Sequence, residues 1–456
     1  MFPQQPTIIA PSEPEPPPPS RRDGLLVALA VVLGAAAVLG GLVGFQWLRA
    51  DSTETAADAA VTGANADENS ADDGQSDEDG QQATPSTTNP APSTTEAEPV
   101  PSTEPERPLV ESVPCPDRYT EEICAAADFV QQNRGRPFKE FPNIELLDDA
   151  DFDAALLADF EESRSEFVED ERLMKSLGLI PTDLDLFETF RELIEVGVVG
   201  FYDPDDGRLV VRGGEFDLYG QAILVHELVH AFDDQWFDLS RDDFDSDDAE
   251  YGYLAVIEGN ASRIEELWRD GLDPQQSAEL AAQELSSLSP EDLDRMLSLP
   301  RILINLQISP YEDGEIYVSG IAAAGGELAV DARFATPPES SEQVLHPGAD
   351  ENTLAIVDVE QPTVDGAVTS DGTIGELLLR FWLGSQAGEG WGGDTFVIWE
   401  SGNDICTTVD FVADSAADLD EIEAGASRWI SGAEDRRSFE RIQSVDDEKL
   451  RITGCY

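Results

Sequence analysis

Apolar residues are distributed along this chain in three regimes. From Gly24 to Phe45 they run almost without interruption, as GLLVALAVVLGAAAVLGGLVGF, with no charged residue. As a helix, those 22 residues rise about 33 Å, the thickness of a bilayer's hydrocarbon core. On either side the apolar residues thin out. Residues 1–23 contain PSEPEPPPPS, while residues 50–113 hold 15 acids, one base (Arg107) and no aromatic side chain. Neither stretch can bury enough apolar surface to offset its ordering entropy. From Cys115 onward aliphatic and aromatic residues return at helical and strand spacing. The pattern predicts a disordered cytoplasmic tail (1–23), a transmembrane helix (24–46), a disordered acidic stalk (47–113) and a folded exterior. Arg21 and Arg22 before the span set the orientation, and Trp47 suits an interface anchor. A cleaved signal peptide is the other reading. Against it stand the length of the apolar run and the long polar head before the arginines.

Within the folded part the pattern predicts an α+β architecture. Residues 144–196 read as helical, through IELLDDADFDAALLADFEESRSEFVEDERL and then PTDLDLFETFRELIEV. VVGFY and RLVVR around the turn DPDDG read as a hairpin. Two helices follow, QAILVHELVHAFDDQWF and YLAVIEGNASRIEELW. These belong to a first region, 114–351. A C-terminal α/β region, 352–456, is predicted from a strand at TLAIVDV, a helix at GELLLRFWLGSQ, strands at DTFVIWES and DICTTVDFV, and a helix at SAADLDEIEAGASRWISG. The glycines around Trp391 in GWGGD read as a tight turn. Asp394 and Glu376 read as capping and packing residues, and this region is expected to supply no catalytic group.

Charge narrows the partners. The chain has 95 acids against 27 bases, a net charge of −68. Such a surface repels nucleic acid and anionic lipid headgroups, which counts against both as partners. It suits solubility in a saline setting, or cation binding by acidic loops. Asp242, Asp243, Asp245, Asp247 and Asp248 form such a loop, without EF-hand spacing. The four cysteines contain no CxxC pair and all follow the apolar run. An even number outside the membrane predicts two disulfides. Three pairings are possible, and Cys115–Cys124 with Cys406–Cys455 keeps each bridge within one segment.

The chemistry concentrates in VHELVH. His226 and His230 are one helical turn apart, so both imidazoles leave one face and can share a zinc ion. Glu227 can reach a zinc-bound water without being a ligand. With only three histidines in the chain, a chance HExxH arises in about two of a thousand such chains. The surrounding Ile223, Leu224, Val225, Leu228, Val229, Ala231 and Phe232 predict a buried helix, where two histidines and a glutamate need partners. The other reading is a pair of core histidines bonded to neighbours. Asp233 and Trp236 stand where a metzincin would have Gly and His, so the third ligand must be a carboxylate. Glu258, at the border of an apolar stripe formed by Leu254, Ile257, Ala261, Ile264 and Trp268, is the first candidate, and Glu250 the fallback. Gly259 is expected to let this helix approach the HExxH helix closely. Glu265 reads either as a partner behind a ligand or as a solvated residue. His346 and Tyr311 are the candidates for stabilising an oxyanion. Each also has a structural reading: a lone histidine in a packed site, and a tyrosine packed in a PYxxG turn.

HExxH followed by a glutamate on a later helix resembles the gluzincin group of zinc peptidases, over roughly residues 195–270. The resemblance implies zinc on His226, His230 and Glu258, Glu227 as general base, and a hairpin strand near Leu209–Arg212 that aligns a peptide. The chain departs from the thermolysin pattern in its 27-residue link (231–257) and in carrying EGNAS rather than NExxSD. Over 195–456, VHELVHAFDDQWFDL, IEGNA, SPYEDGEIYV, PPESSEQVLHP, GELLLRFWL and GWGGDTFVIWE also resemble a little-characterised group of bacterial envelope proteins classed as HExxH peptidases. The expectation is therefore a single-pass, membrane-anchored, extracytoplasmic zinc metallopeptidase of zincin-like fold, acting on a peptide or protein in the cell envelope. The alternatives are a non-catalytic zincin-like surface binding protein and a zinc hydrolase of a non-peptide envelope amide.

Overall fold

The computed structural model describes residues 110–456, apart from 166, 214–216, 242, 288, 350–353, 432, 434–435 and 444–447. The tail, the span expected at 24–46 and nearly all of the stalk lie outside the described residues. Among the described residues no helix is long and apolar enough to cross a membrane.

The chain is mixed α+β with two sheets. Helix α1 (Glu121–Asn133) begins just before the second cysteine of the Cys115–Cys124 bridge. The next segment corrects the helical reading of 144–196, because Asn143–Leu147 is a strand, β1. Asp148 then accepts from the N–H groups of Ala150 and Asp151, which caps α2 (Asp149–Glu162) and fixes where the helix starts. Helices α3 (Phe167–Ser176) and α4 (Leu186–Gly197) follow. The hairpin forms as β2 (Gly200–Asp203) and β3 (Arg208–Arg212). β3 also pairs with β1 in parallel, so the sheet order is β1-β3-β2.

Helix α5 (Leu218–Phe237) carries HExxH and α6 (Asp247–Asp270) carries Glu258. Asp217 and Ser246 cap their N-termini through Gly220 and Ala249. α5 is apolar nearly all round and is buried accordingly. Leu224, Val225, Leu228, Val229 and Phe232 pack against Ile123 and Val130 of α1, Leu209 and Val211 of β3, and Ala261 and Ile264 of α6. Truncating a residue such as Leu228 to Ala should cost about 2–5 kcal/mol. Helices α7 (Pro274–Ser287), α8 (Pro290–Leu297), α9 (Arg301–Gly325), α10 (Glu327–Ala335) and α11 (Ser341–Leu345) complete this part.

Two sequence expectations are corrected where α6 meets α9. Gly259 does permit a close helix approach, but to α9 rather than to the HExxH helix. A Cβ on Gly259 would overlap the Gly314 carbonyl, and one on Gly314 would overlap that of Ala255. Tyr311 is not in a turn. It lies within α9, directly after Pro310, which lacks the N–H that would continue the helical ladder. The Gly259–Gly314 approach brings this part of α9 to the helices that carry His226, His230 and Glu258.

The C-terminal region is a five-stranded antiparallel sheet in the order β4-β5-β6-β8-β7. Its elements are β4 (Ala367–Gly372), α12 (Gly375–Leu383), α13 (Ser385–Gly388), β5 (Trp391–Ser401), β6 (Asp404–Ala413), α14 (Ala416–Trp429), β7 (Arg437–Gln443) and β8 (Glu448–Cys455). The second disulfide, Cys406–Cys455, joins residues directly opposite in β6 and β8. No strand forms at Leu354–Val359. That segment crosses the glycines that open β5, where Val357 N–H donates to the Gly392 carbonyl at 2.8 Å. GWGGD is a bulged strand start rather than a turn. Leu173 and Leu177, in and just after α3, join the core of this sheet beside Leu450 and Ile452. Trp429 Nε1 donates to the Leu177 carbonyl at 2.7 Å across the same contact.

Candidate metal centre

His226 and His230 leave one face of α5 and converge on Glu258 of α6. His226 Nε2 is 3.2 Å, and His230 Nε2 3.4 Å, from the same carboxylate oxygen, Oε2. The three donor atoms lie within 4.8 Å of one another and all three residues are buried, so the group could hold a metal ion. Among the described residues it is the one such group. Glu250, the fallback ligand, sits two turns earlier in α6, about 12 Å along the axis, and is outside it. The acidic loop 242–248 gathers no such group among its described residues. Asp248 turns inward instead and accepts from Ser341 N–H at 3.0 Å.

Both ring nitrogens of His226 face carboxylates: Nδ1 bonds Glu265 Oε2 at 3.1 Å and Nε2 bonds Glu258 Oε2 at 3.2 Å. Arg269 holds the other oxygen of Glu265, at 2.6 Å, and Arg269 in turn bonds Glu284 of α7. Glu265 is therefore a buried partner of a histidine and not a solvated residue. His230 Nδ1 is buried with no hydrogen-bond partner among the described residues.

Burial alone would depress the basicity of His226, but hydrogen bonds to Glu258 and Glu265 outweigh it and push the pKa up to about 10. Burial would raise Glu258, yet His230 and His226 hold it down at about 2. Glu265 is lowered too, since His226 and Arg269 outweigh its burial. Glu227 moves the other way, raised by burial. The site is thus an acidic pocket in which His226 holds a proton when no other cation is present.

Tyr311 stands against this group. Its ring stacks on His226 with centroids 5.8 Å apart, and its hydroxyl donates to Glu258. Burial, Glu258 and Glu227 together raise its pKa well above the ordinary phenol value, so it stays a donor. His346 is placed elsewhere. It follows α11, bonds Glu376 at 3.0 Å and lines a different cavity, beside Ile316, Tyr317 and Arg333. The cleft at the metal-holding group is small, about 70 Å³, and is lined by Glu227, His230, Glu258, Leu254, Ile257 and Gly200 to Tyr202 of β2. β3, the strand expected to align a peptide, is paired on both sides. β2 is the edge strand of this sheet and lines the cleft. A Cβ on Gly200 would press on Ile223 and Glu227, so glycine there leaves room for the glutamate.

A second layer braces the two helices and was not foreseen from the sequence. Arg134, fully buried, bonds Asp233 of α5 at 2.8 Å and also Glu327 and Asp331 of α10. Asn260 donates to Asp233 Oδ2 at 2.5 Å, and Arg263 bonds both Asn260 and Glu327. Asp233 is three residues beyond His230 and Asn260 two beyond Glu258, so this network ties together the turns that carry His230 and Glu258. The one sequence signal was Asp233 itself, an acid directly after the apolar Ala231 and Phe232.

Comparison of the chain with protein-family models, with curated proteins and with solved structures finds no match. Geometry therefore defines the class of site: a buried His-His-Glu group able to hold a metal ion, with a second glutamate and a tyrosine beside it.

Proposed function

We propose that the chain is a zinc-dependent peptidase of zincin-like arrangement, anchored by residues 24–46 with residues 114–456 outside the cell. One observation carries the reading. Two ligands about 2.0–2.1 Å from a tetrahedral zinc are about 3.3–3.4 Å apart. The two histidine nitrogens stand 3.2 and 3.4 Å from Glu258 Oε2. A nitrogen–nitrogen–carboxylate set with a fourth position toward a cleft suits catalytic zinc.

When bound, zinc would acidify a water molecule and polarise the scissile carbonyl. Glu227 lines the cleft but is outside the ligand set, and burial raises its proton affinity toward the range a general base needs. Its carboxylate takes a proton from the attacking water and returns it to the leaving amine. The Tyr311 phenol, kept protonated, donates to the carbonyl oxygen as negative charge builds there. The outer edge of β2 offers backbone groups with which an extended peptide can pair.

Glu227→Gln tests the assignment. The variant should retain its metal while hydrolysis of an unfolded protein substrate falls by about 10²–10⁴. A variant that cleaves at the wild-type rate would remove Glu227 from its role.

A further inference from the structure

The cleft beside the His-His-Glu group is small for a site that would handle a peptide. An apolar cavity of about 150 Å³ takes up one benzene ring, and small-molecule sites run to about 300–1,000 Å³. This cleft measures about 70 Å³. Beyond Glu227, His230 and Glu258, its walls are mainly apolar. Tyr202 and Pro204 line it from β2 and the turn that follows, Leu239 from the link after α5, and Leu254 and Ile257 from α6.

Two of these walls are tied to one carboxylate. Asp234 lies one helical turn beyond His230 on α5. Its Oδ2 accepts from the Tyr202 hydroxyl at 2.6 Å, and its Oδ1 accepts from Leu239 N–H at 2.9 Å. Each wall is also held from behind. The Tyr202 ring packs against the core that surrounds α5, and Leu239 packs against the cluster that includes Phe244 and Tyr253. Between Asp234 and Leu239 the chain leaves α5 through Asp238, in the left-handed region at φ +62°. The Tyr253 hydroxyl donates to the Asp238 carbonyl at 3.3 Å and secures that turn.

The size of the cleft is therefore set by bonded and packed groups, not by loose side chains. A larger occupant has to break the Asp234 bonds or compress Leu254 and Ile257, and overfilling packed apolar space is unfavourable. One methylene too many in a tight apolar pocket changes selectivity by about tenfold or more, and a phenyl ring exceeds this space by far more than one methylene.

We propose, building on the metallopeptidase reading of the site, that the cleft is a size filter. It admits a small apolar side chain beside the scissile bond, alanine or valine rather than leucine or phenylalanine, and Tyr202 and Leu239, clamped by Asp234, set the limit. The substrate class is a peptide with a small residue at the cleaved bond. Capped tetrapeptides test this, with glycine at each end and two identical central residues: alanine, valine, leucine or phenylalanine. The same side chain then flanks the central bond on both sides. Two readouts are taken: kcat/KM with the zinc-loaded full chain, and calorimetric affinity for the zinc-loaded Glu227→Gln chain, which hydrolyses too slowly to interfere. The alanine peptide should exceed the phenylalanine peptide at least tenfold in both. Leu239→Ala, at a partly exposed position, should narrow that ratio at least tenfold, and Tyr202→Ala should do the same. A phenylalanine peptide cleaved and bound as well as the alanine peptide would overturn the filter and leave the peptidase reading standing. So would an unchanged ratio in a folded Leu239→Ala chain. Size-ranked binding without any cleavage by the wild type would overturn the peptidase reading and leave the filter standing. No binding of any peptide would overturn both.

Discussion

Among the buried carboxylates of helix α6, Asp248 and Glu258 titrate in opposite directions. Glu258 is held at about 2, whereas Asp248 is pushed up to about 7. Burial raises both. At Glu258 two histidines outweigh it. At Asp248 the N–H of Ser341 does not, and Asp394 and Glu376 add like charge. The neighbours share the pattern, with Glu342 raised to about 8 and Asp394 to about 6, chiefly by burial. Near this second cluster, His346 and Arg380 both turn to Glu376. Equal burial therefore yields two kinds of acid. One stays ionised, and the other holds its proton more tightly. Asp394, also raised, serves the fold as an acceptor, taking the N–H groups of Ile374 and Gly375 at the start of α12.

The contrast can be broken most sharply by exchanging charge for amide at both positions. Glu258→Gln should lower zinc affinity by more than about a hundredfold, whereas Asp248→Asn should leave it unchanged; competition with a chromophoric chelator measures both. Next in size, Glu265→Gln should cost about 10–100-fold in zinc affinity, because it releases the tautomer and orientation of His226. Zinc uptake at pH 8 should also expel about one proton per chain, since the metal must displace the proton that His226 binds with a pKa of about 10. Binding heats in buffers of different ionisation enthalpy report that number. The smallest effect is at Asp248. Its pKa is higher folded than unfolded, so its contribution is complete below about pH 4 and is lost as pH rises through about 7. Asp248→Asn should therefore gain about 2–3 kcal/mol on wild type between pH 5 and pH 8. Denaturant melts at the two pH values read the change.

Local chemistry was legible in the sequence and tertiary partnership was not. The HExxH helix and the candidacy of Glu258 could be read because one needs only i, i+4 spacing and the other an acid on an apolar border. Gly259 announced a close approach without saying to which helix, since Gly314 lies in another element. Residues 144–147 read as helix because IELLDDADF fits both periods, and the cap at Asp148 decided between them. β7 and β8 were missed because RSFERIQ and EKLRITGC are mostly polar and their apolar positions are thinly spaced. The rarity of histidine drew attention to His346, yet Glu376 fixes its place. Arg134 was invisible for the opposite reason, as an ordinary arginine whose partners lie 99 residues away and more.

The most direct test of the central claim is metal analysis of the purified full chain and of His230→Ala. The three-residue site predicts close to one zinc per wild-type chain and close to none in the variant. A folded wild-type chain that takes up no zinc, or a His230→Ala chain that keeps a full equivalent, would contradict it.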